Sequence, residues 1–481
     1  MISYTKTKII ATVGPASNTR EKLLELINAG VDVFRLNFSH GTHEEHQMVI
    51  NHIKSLRNDF GFHVSILQDL SGPKMRIGMV KNNGVELKEG AEFIITTDSK
   101  YLDDKDFLGD EKMVSCTYLP LSKDVKPGDA ILLDDGKLRC EVIKVEHNYV
   151  TTKVIYGGLL KSKKGINLPN SDISESSLSA KDRKDLAFGL KNDIDWIAIS
   201  FVRRASDVEE LKALIRSSGK DARVVAKIER PEALKNIDEI IEAADALMIA
   251  RGDLGVEIEL SDVPIWQKKI IRKCNAAAKP VIVATQMMES MIENARPTRA
   301  EAGDVANAVF DGADAVMLSA ETASGKYPVE TVKNMNSIIR AVEAHGGIYN
   351  KFYDHEHSVT TDLSEVILDS ACKIARSTNA RAIIGMTYTG YSAFRIARHR
   401  PTADILIFTA NKSLLTILNL VWGVRAFYYG KIEPTDQTIK DFEELLVKEG
   451  YLRKGDVFVN TGTMPIESKR RTNFVKISRV E

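Results

Sequence analysis

Eight short runs of apolar and β-branched residues recur along the first two thirds of the chain, and stretches with helical spacing separate most of them. The runs are Lys8–Val13, Val33–Phe38, Val64–Asp69, Trp196–Phe201, Val224–Ile228, Leu247–Ala250, Val281–Thr285 and Ala315–Leu318. Helical spacing is found, for example, in Arg20–Ala29, Ala205–Ser217 and Val263–Ala278. This alternation is typical of repeated βα units in a parallel sheet. Eight units predict an α/β fold built on a closed (β/α)8 barrel of the TIM type.

The third and fourth runs are more than 100 residues apart, which is too far for one loop. This stretch has its own β-rich pattern, with strand candidates at Glu92–Thr97, Ala130–Leu133, Leu138–Val145 and Val150–Tyr156. We therefore predict an inserted β-rich lid domain at residues 73–167, within a catalytic barrel formed by residues 1–72 and 168–345. The turn residues Gly72–Pro73 and Gly165–Pro169 would serve as its hinge.

After Arg340 the barrel pattern ends, and new strand candidates appear with helical stretches between the earlier ones. They are Ala382–Met386, Ile405–Thr409, Arg425–Tyr429, Asp456–Asn460 and Phe474–Ile477. We predict a C-terminal α/β regulatory domain at residues 346–481.

Composition excludes several classes of protein. The 481 residues suggest about three domains, and 66 basic residues balance 66 acidic ones, which does not indicate nucleic-acid or membrane binding. The four cysteines, Cys116, Cys140, Cys274 and Cys372, are too far apart to indicate a zinc site or a disulfide framework. No segment resembles a signal peptide or a membrane span, so we expect a cytoplasmic protein.

In a barrel of this kind the active site forms at the carboxyl ends of the strands, so polar residues there are the candidates for chemistry. Six of the eight predicted strands end in or lead into such residues. These are Arg35, Asn37, Ser39, Asp69, Lys227, Glu229, Arg251, Gly252, Asp253, Thr285, Gln286, Ser319 and Glu321. We expect them to converge on one mouth of the barrel.

The residue types at this mouth indicate a polyanionic substrate and a metal. Glu229 and Asp253 suit Mg²⁺, which commonly binds one or two carboxylates together with substrate phosphate and water. Lys227 would face the same space and stabilise the negative charge of a transferring phosphoryl group or a developing enolate. Arg35 and Arg76 add groups suited to bidentate phosphate contacts.

Each of these side chains also has a structural interpretation, because a charged residue at a strand end is often only part of an ion pair at the barrel rim. Their convergence favours the functional interpretation. The run Thr42–His46 could be a metal cluster, but Thr-x-x-Glu before a helix is a capping box, which we favour. We interpret Asp354–His357 as a solvated linker rather than a zinc site. Neither a P-loop nor a G-x-G-x-x-G fingerprint is present, so a nucleotide must be held in another way.

Several longer motifs closely resemble those of the pyruvate kinase family, in the same order and along essentially the whole chain. They are Phe34–Gly41, Val225–Glu229, Ala250–Glu257, Ala284–Met291, Arg296–Glu301 and Met317–Thr322. The resemblance implies phosphoryl transfer from phosphoenolpyruvate to ADP with Mg²⁺ or Mn²⁺, giving pyruvate and ATP in the final step of glycolysis. It also implies a lid that closes over the barrel, a homotetramer and a phosphorylated allosteric effector.

The resemblance also assigns roles to individual residues. Glu229 and Asp253 would bind the divalent metal, and Lys227 would stabilise the phosphoryl group and the enolate as they separate. Phosphoenolpyruvate would contact Arg35, Gly252, Asp253 and Thr285. The nucleotide would contact Arg76, Lys164 and His40. A water network around Thr285, Ser319 and Glu321 would protonate the enolate.

Lys74 departs from the pattern of many family members, which carry a glutamate at this position. Those enzymes need K⁺ near the equivalents of Asn37, Ser39, Asp69 and Leu70. We interpret the Lys74 ammonium as a surrogate cation and expect that K⁺ is not required. The alternative is that Lys74 pairs with Asp69 or another acid and has no bearing on ion use.

Thr387–Ser392 resembles the family's loop for the effector phosphate, with hydroxyl groups at Thr387, Thr389 and Ser392. The basic run Lys469–Arg471 would complete this site, although it is equally consistent with a solvated surface turn. The residues after the loop diverge from the family, so the identity of the effector stays open.

Two other functions compete with this interpretation. A metal-dependent lyase or aldolase would also use carboxylates and a metal to form a pyruvate enolate. A lid with Arg76 and Lys164 favours a kinase, because phosphoryl transfer requires the exclusion of water. A catalytically silent regulatory paralogue is disfavoured because none of the residues assigned to the chemistry is substituted: Arg35, Lys227, Glu229, Asp253 and Thr285.

Overall fold

The structure is a computed structural model that describes residues 4–73, 75–102, 104, 106–169, 171, 173–351, 362–431, 433–464 and 471–481. These residues form 21 β-strands and 17 α-helices, numbered here in chain order. The predictions for Lys74, for Asp354–His357 and for Lys469 and Arg470 fall outside the described residues.

Eight parallel strands close into a barrel, which confirms the predicted fold class. The strands are β1 (Lys8–Thr12), β2 (Val33–Asn37), β3 (Ser65–Asp69), β12 (Trp196–Ile199), β13 (Arg223–Ile228), β14 (Ala246–Ala250), β15 (Val281–Ala284) and β16 (Ala315–Leu318). Almost every residue in them is buried, because helices cover the outer face and side chains fill the interior.

Helices surround the barrel and connect its strands. They are α1 (Arg20–Ala29), α2 (His43–Phe60), α5 (Ala180–Lys191), α6 (Ala205–Ser217), α7 (Pro231–Lys235), α8 (Ile237–Ala243), α9 (Arg251–Glu257), α10 (Val263–Ala276), α11 (Arg299–Asp311), α12 (Ala320–Ala323) and α13 (Pro328–His345). The predicted capping box begins α2: the Thr42 hydroxyl accepts a hydrogen bond from the Glu45 amide, and the Glu45 carboxylate accepts one from the Thr42 amide.

The inserted segment builds two sheets of its own around a separate apolar core. Its strands are β4 (Val85–Leu87), β5 (Glu92–Thr96), β6 (Met113–Ser115), β7 (Ala130–Leu133), β8 (Leu138–Glu146), β9 (Tyr149–Tyr156), β10 (Gly158–Leu160) and β11 (Ile166–Asn167), with short helices α3 (Ser99–Leu102) and α4 (Leu121–Asp124). All four predicted strands are present. The sequence analysis missed β4, β6, β10 and β11, because two or three residues are too few to show alternation.

The C-terminal part forms a five-stranded sheet with helices, as predicted. Its strands are β17 (Ala382–Met386), β18 (Asp404–Thr409), β19 (Val424–Tyr428), β20 (Val457–Gly462) and β21 (Phe474–Arg479). Its helices are α14 (Leu363–Ser377), α15 (Tyr391–Arg398), α16 (Lys412–Ile417) and α17 (Thr435–Lys448). Only β21 runs antiparallel to its neighbour among these described strands. The domain boundaries at 72/73, 167/168 and 345/346 stay predictions.

The C-terminal sheet packs against the amino-terminal end of the barrel through buried charged groups. The fully buried Lys8 Nζ donates to the Val424 carbonyl at 3.1 Å and lies 3.6 Å from Asp32 Oδ1. Arg400 is also buried and pairs with Asp314, the residue before β16. This interface leaves the carboxyl ends of the barrel strands clear of the C-terminal sheet. In the described part of the chain, no helix has the length and apolarity needed to cross a membrane.

Candidate active site

Arg35, Asp69 and Lys227 meet at the carboxyl ends of three barrel strands, as the sequence predicts. The Arg35 guanidinium binds Asp69 Oδ2 through Nε and a terminal nitrogen, both at 2.7 Å, and donates to Thr12 Oγ1 at 2.9 Å. Burial alone would raise the pKa of Asp69, but the positive charges of Lys227 and Arg35 lower it below the usual range. Asp69 is therefore ionised at neutral pH and holds both cations in place.

Lys227 Nζ has three partners. It lies 2.8 Å from Glu229 Oε1 and 3.3 Å from Asp69 Oδ1, and it donates to Ser200 Oγ at 2.8 Å. Burial would lower the pKa of Lys227, but the carboxylates of Asp69, Glu229 and Asp253 outweigh it and raise the pKa. The side chain is therefore an ammonium group held between two carboxylates and one hydroxyl.

Glu229 and Asp253 are the two candidate metal ligands. Glu229 is almost completely buried and accepts a hydrogen bond from the Phe201 amide at 2.7 Å. Burial raises its pKa; Lys227 opposes this rise, and the charge of Asp253 adds to it. Asp253 reaches solvent at the mouth, yet the protein around it raises its pKa, and Asp69 and Asp135 add to the rise although Lys227 opposes it.

This donor set fits a divalent cation. Burial raises the pKa of both carboxylates, neighbouring acidic groups add to the rise, and a bound cation would stabilise the ionised form of each. Among the described residues, no cluster of three or more histidine, cysteine or acidic side chains has the arrangement of a metal site. A metal held by two carboxylates would complete its coordination with substrate oxygens and water, which is usual for Mg²⁺.

Thr285 lies on a strained turn beside the start of α9. It has a φ of 69°, in the left-handed region that non-glycine residues rarely adopt. Its hydroxyl accepts a hydrogen bond from the Gly252 amide at 2.7 Å, and its carbonyl accepts one from Arg251 at 2.8 Å. A Cβ atom at position 252 would come 3.3 Å from Thr285 Oγ1, so glycine permits this close approach. Such strain is typical of functional sites.

Ser319 and Glu321 lie together after β16. The Glu321 carboxylate accepts hydrogen bonds from the Ser319 amide at 2.6 Å and from the Met288 amide at 3.2 Å. Burial raises the pKa of Glu321, and these backbone donors counteract part of that rise. Backbone amides from two loops thus fix the carboxylate in one orientation.

The four described residues of the proposed K⁺ site lie at the ends of β2 and β3 or just after them. Asn37 Oδ1 accepts from the Ser39 amide at 3.1 Å, and the Leu70 carbonyl accepts from Ser200 Oγ at 2.8 Å. Asp69 is occupied by Arg35 and Lys227, as described above. The proposed role of Lys74 itself stays a prediction.

The residues assigned to the nucleotide come from two parts of the chain. Arg76 and Lys164 belong to the inserted segment, where Arg76 is exposed and pairs through its backbone with Gly165. Lys164 Nζ forms an ion pair with Asp134 at 2.7 Å, and this hydrogen bond raises its pKa. His40 is exposed after β2, at the barrel mouth.

A cavity of about 320 Å³ lies in the C-terminal domain, and the loop predicted to bind an effector lines it. Thr387 and Ser392 are buried there, and Thr389 and Arg471 also contribute to the wall. The hydroxyl of Ser392 and the side-chain oxygen of Asn460 have no hydrogen-bond partner among the described residues. Unsatisfied buried polar atoms that line a cavity are suited to a polar ligand.

Two residues of the mouth were missed by sequence reasoning. Ser200 follows β12 and contacts Lys227, and Thr12 ends β1 and contacts Arg35. The sequence analysis named no candidate residue on these two strands, because single hydroxyl residues are common and uncharged. Their position at the carboxyl end of a barrel strand is the signal that would have identified them.

Two family models match the chain. The model described as pyruvate kinase, barrel domain, matches residues 4–332, and the one described as pyruvate kinase, alpha/beta domain, matches residues 365–478.

Curated relatives and a solved structure agree with these matches. The chain is 44% identical over 478 residues to a pyruvate kinase of Geobacillus stearothermophilus, covering 98% of this chain and 80% of the relative. It is 41% identical to the pyruvate kinase of Clostridium acetobutylicum, covering 99% of this chain and all of the relative. A crystal structure of a pyruvate kinase from Cryptosporidium parvum superposes with a TM-score of 0.89 at 35% identity, covering 99% of this chain and 96% of that one.

Proposed function

Because the chain belongs to the pyruvate kinase family, we propose that it transfers a phosphoryl group from phosphoenolpyruvate to ADP, giving pyruvate and ATP. The observation that carries this proposal is the buried Lys227 ammonium between Asp69 and Glu229, beside Asp253. Phosphoryl transfer places negative charge on the transferring group and on the enolate that leaves. A fixed cation in a partly desolvated site stabilises that charge without reorganisation.

Glu229 and Asp253 hold the divalent metal, Mg²⁺ or Mn²⁺. When bound, the metal would neutralise charge on the transferring phosphoryl group and orient the substrate. The raised pKa of each carboxylate supports this assignment, because burial and then neighbouring acidic groups disfavour the ionised form, and a bound cation would stabilise it.

Arg35, Gly252, Asp253 and Thr285 contact phosphoenolpyruvate. The described partners of Arg35 use three of its five donors and fix its plane, so the remaining donors can bind the phosphate in one orientation. Thr285 and Gly252 are joined by their own hydrogen bond and form a rigid wall. Fixed contacts of this kind hold a substrate in the orientation in which it reacts.

The enolate accepts its proton from water ordered by Thr285, Ser319 and Glu321. Glu321 is held by two backbone amides and does not need to move. Because its pKa is raised, its carboxyl group binds and releases a proton at a pH nearer to neutral than an exposed glutamate does.

The nucleotide contacts Arg76, Lys164 and His40. Arg76 and Lys164 belong to the inserted segment, which would act as a lid that brings both cations to the phosphates of ADP and excludes water. Lys164 would then exchange its ion pair with Asp134 for a phosphate contact.

Enzyme turnover does not require K⁺. Asp69 already shares its single negative charge between two fixed cations, Arg35 and Lys227, so it attracts a monovalent ion near Asn37, Ser39 and Leu70 only weakly. Lys74 would add a further positive charge.

The C-terminal cavity binds a phosphorylated effector at Thr387, Thr389 and Ser392, with Arg471 at its wall. The enzyme is a cytoplasmic homotetramer. Titration at subsaturating phosphoenolpyruvate against sugar phosphates and nucleoside monophosphates tests the effector site, and a flat response to all of them would remove it.

A coupled lactate dehydrogenase assay with phosphoenolpyruvate, ADP and Mg²⁺ tests the reaction. We expect pyruvate formation that depends on both substrates and on the metal. A lyase or aldolase would release pyruvate from another substrate without ADP, and a silent regulatory paralogue would release none.

A further inference from the structure

Ser200 lies one residue after β12, and its side chain joins two functional strand ends. It is 2% exposed. Its hydroxyl donates to the Leu70 carbonyl at 2.8 Å and accepts from Lys227 Nζ at 2.8 Å. A hydroxyl has one proton, and here that proton is committed to Leu70. The oxygen therefore presents a lone pair to the ammonium group in a fixed direction.

The other two partners of Lys227 are both engaged elsewhere. Asp69 binds Arg35 through its other oxygen, and Glu229 is a proposed metal ligand. The strength of either contact therefore depends on what else is bound in the mouth. Ser200 is neutral and has no competing cation among its described partners, so its contact is the one that changes least during the reaction.

We propose that Ser200 is a positioning residue that holds the Lys227 ammonium in its catalytic place. This inference rests on the proposed function and deepens it. Loss of the hydroxyl leaves Lys227 charged and still paired with two carboxylates, so substrate and metal should still bind. The ammonium would then move toward those carboxylates and away from the position where charge develops, which slows the chemical step.

Ser200→Ala should lower kcat by about 10- to 100-fold, the range expected for one lost hydrogen bond to a charged group. The KM for phosphoenolpyruvate and the affinity for Mn²⁺, measured by electron paramagnetic resonance titration, should stay within about threefold of wild type. Ser200→Cys fills the same space with a weak acceptor, so it should also have a low kcat.

Ser177→Ala is the matched control. Ser177 is equally buried, and its hydroxyl donates to the carbonyl of Phe201, the residue next to Ser200. Its removal costs the same kind of buried hydrogen bond, and kcat should stay within about twofold of wild type. All variants should have a Tm within a few degrees of wild type.

Three results would overturn the inference. The first is a Ser200→Ala kcat within about threefold of wild type. The second is an equal loss of kcat in Ser177→Ala, or a loss matched by weaker Mn²⁺ binding or a lower Tm, which would indicate a general structural role. The third is a kcat close to wild type in Ser200→Cys. This result would show that the low kcat of Ser200→Ala comes from the cavity that the smaller side chain leaves. Inactivity of the wild type would instead refute the proposed function, on which the inference depends.

Discussion

At the scale of single residues, the barrel mouth is a small cluster of charges that neutralise one another. Asp69 and Glu229 surround Lys227, and Arg35 shares Asp69 with it. The pKa of Lys227 is raised and that of Asp69 is lowered by the same pairing. Each group therefore keeps its charge at neutral pH, which the proposed electrostatic role requires.

Lys227→Met should lower kcat by about a thousandfold or more while the KM for phosphoenolpyruvate changes little, because the interaction is made mainly in the transition state. Steady-state kinetics in the coupled assay measures both constants. Lys212→Met serves as the control, because Lys212 pairs with Asp245 outside the mouth. A variant that keeps more than about a tenth of wild-type kcat, a loss of only about 1.4 kcal/mol, contradicts the assigned role.

Activity should be similar in sodium, potassium and tetramethylammonium buffers of equal ionic strength, because Lys74 would supply the charge that K⁺ provides in other family members. Lys74→Glu should create a K⁺ requirement. Lys81→Glu, at a lid residue that pairs with Asp110, should not. If the wild type loses most of its activity without K⁺, then Asn37, Ser39 and Asp69 return as K⁺ ligands.

At the scale of secondary-structure elements, short local patterns decide where the functional loops begin and end. The capping box of Thr42 and Glu45 starts α2 directly after the loop with Ser39 and His40. The run Thr42–His46 includes two histidines and two glutamates, which a motif search could take for a metal site. In the structure, Thr42 and Glu45 satisfy each other's backbone amides instead.

Thr42→Ala should destabilise the first turn of α2 by about 1 kcal/mol, the usual cost of a lost N-cap. Faster hydrogen exchange at the amide of Glu45 would report this locally. Glu45→Gln keeps the reciprocal bond and should leave the exchange rate nearly unchanged. Tight zinc binding by the wild type that Glu45→Gln abolishes would instead support a metal cluster.

At the scale of the whole molecule, buried lysines join the barrel to the C-terminal sheet. Lys8 is fully buried, and this burial lowers its pKa to about 8, although Asp32 opposes the shift. Arg425 lowers the pKa further, and Glu343 on α13 raises it slightly. Removing an ammonium group from water is costly even when a carboxylate is near.

This burial predicts a pH-dependent stability. Between about pH 8 and the ordinary lysine value near 10.4, the unfolded chain binds more protons at Lys8 than the folded one, so folding stability at this group rises with pH. Below that window both states are protonated and the contribution is constant. Lys8→Met lacks this gain, so its Tm relative to wild type should fall by a few degrees between pH 7.5 and 10.

Thermal melts of both proteins across this pH range measure the difference. Lys22→Met is the control, since Lys22 is partly exposed and pairs with Glu25 on its own helix. If the Tm of Lys8→Met relative to wild type stays constant or rises with pH, the low pKa of Lys8 is contradicted.

Much of the fold and of the site was predictable from the sequence. All eight barrel strands and the five C-terminal strands were predicted within two residues of their observed ends. Charged strand-end residues such as Lys227 and Glu229 were also recognisable, because a buried strand that ends in a charge is unusual. Strands β4 and β6 were missed, since three residues carry too little pattern.

What the sequence by itself determined is the order of elements and the set of charged groups at the strand ends, because apolar periodicity and strand-end position are local properties. Only the tertiary structure decided which partners these groups have. The contact of Ser200 with Lys227 joins residues 27 positions apart, and that of Thr12 with Arg35 joins residues 23 apart. Such contacts arise when the barrel closes, because closure brings the carboxyl ends of distant strands together and commits each hydrogen-bond donor to one acceptor.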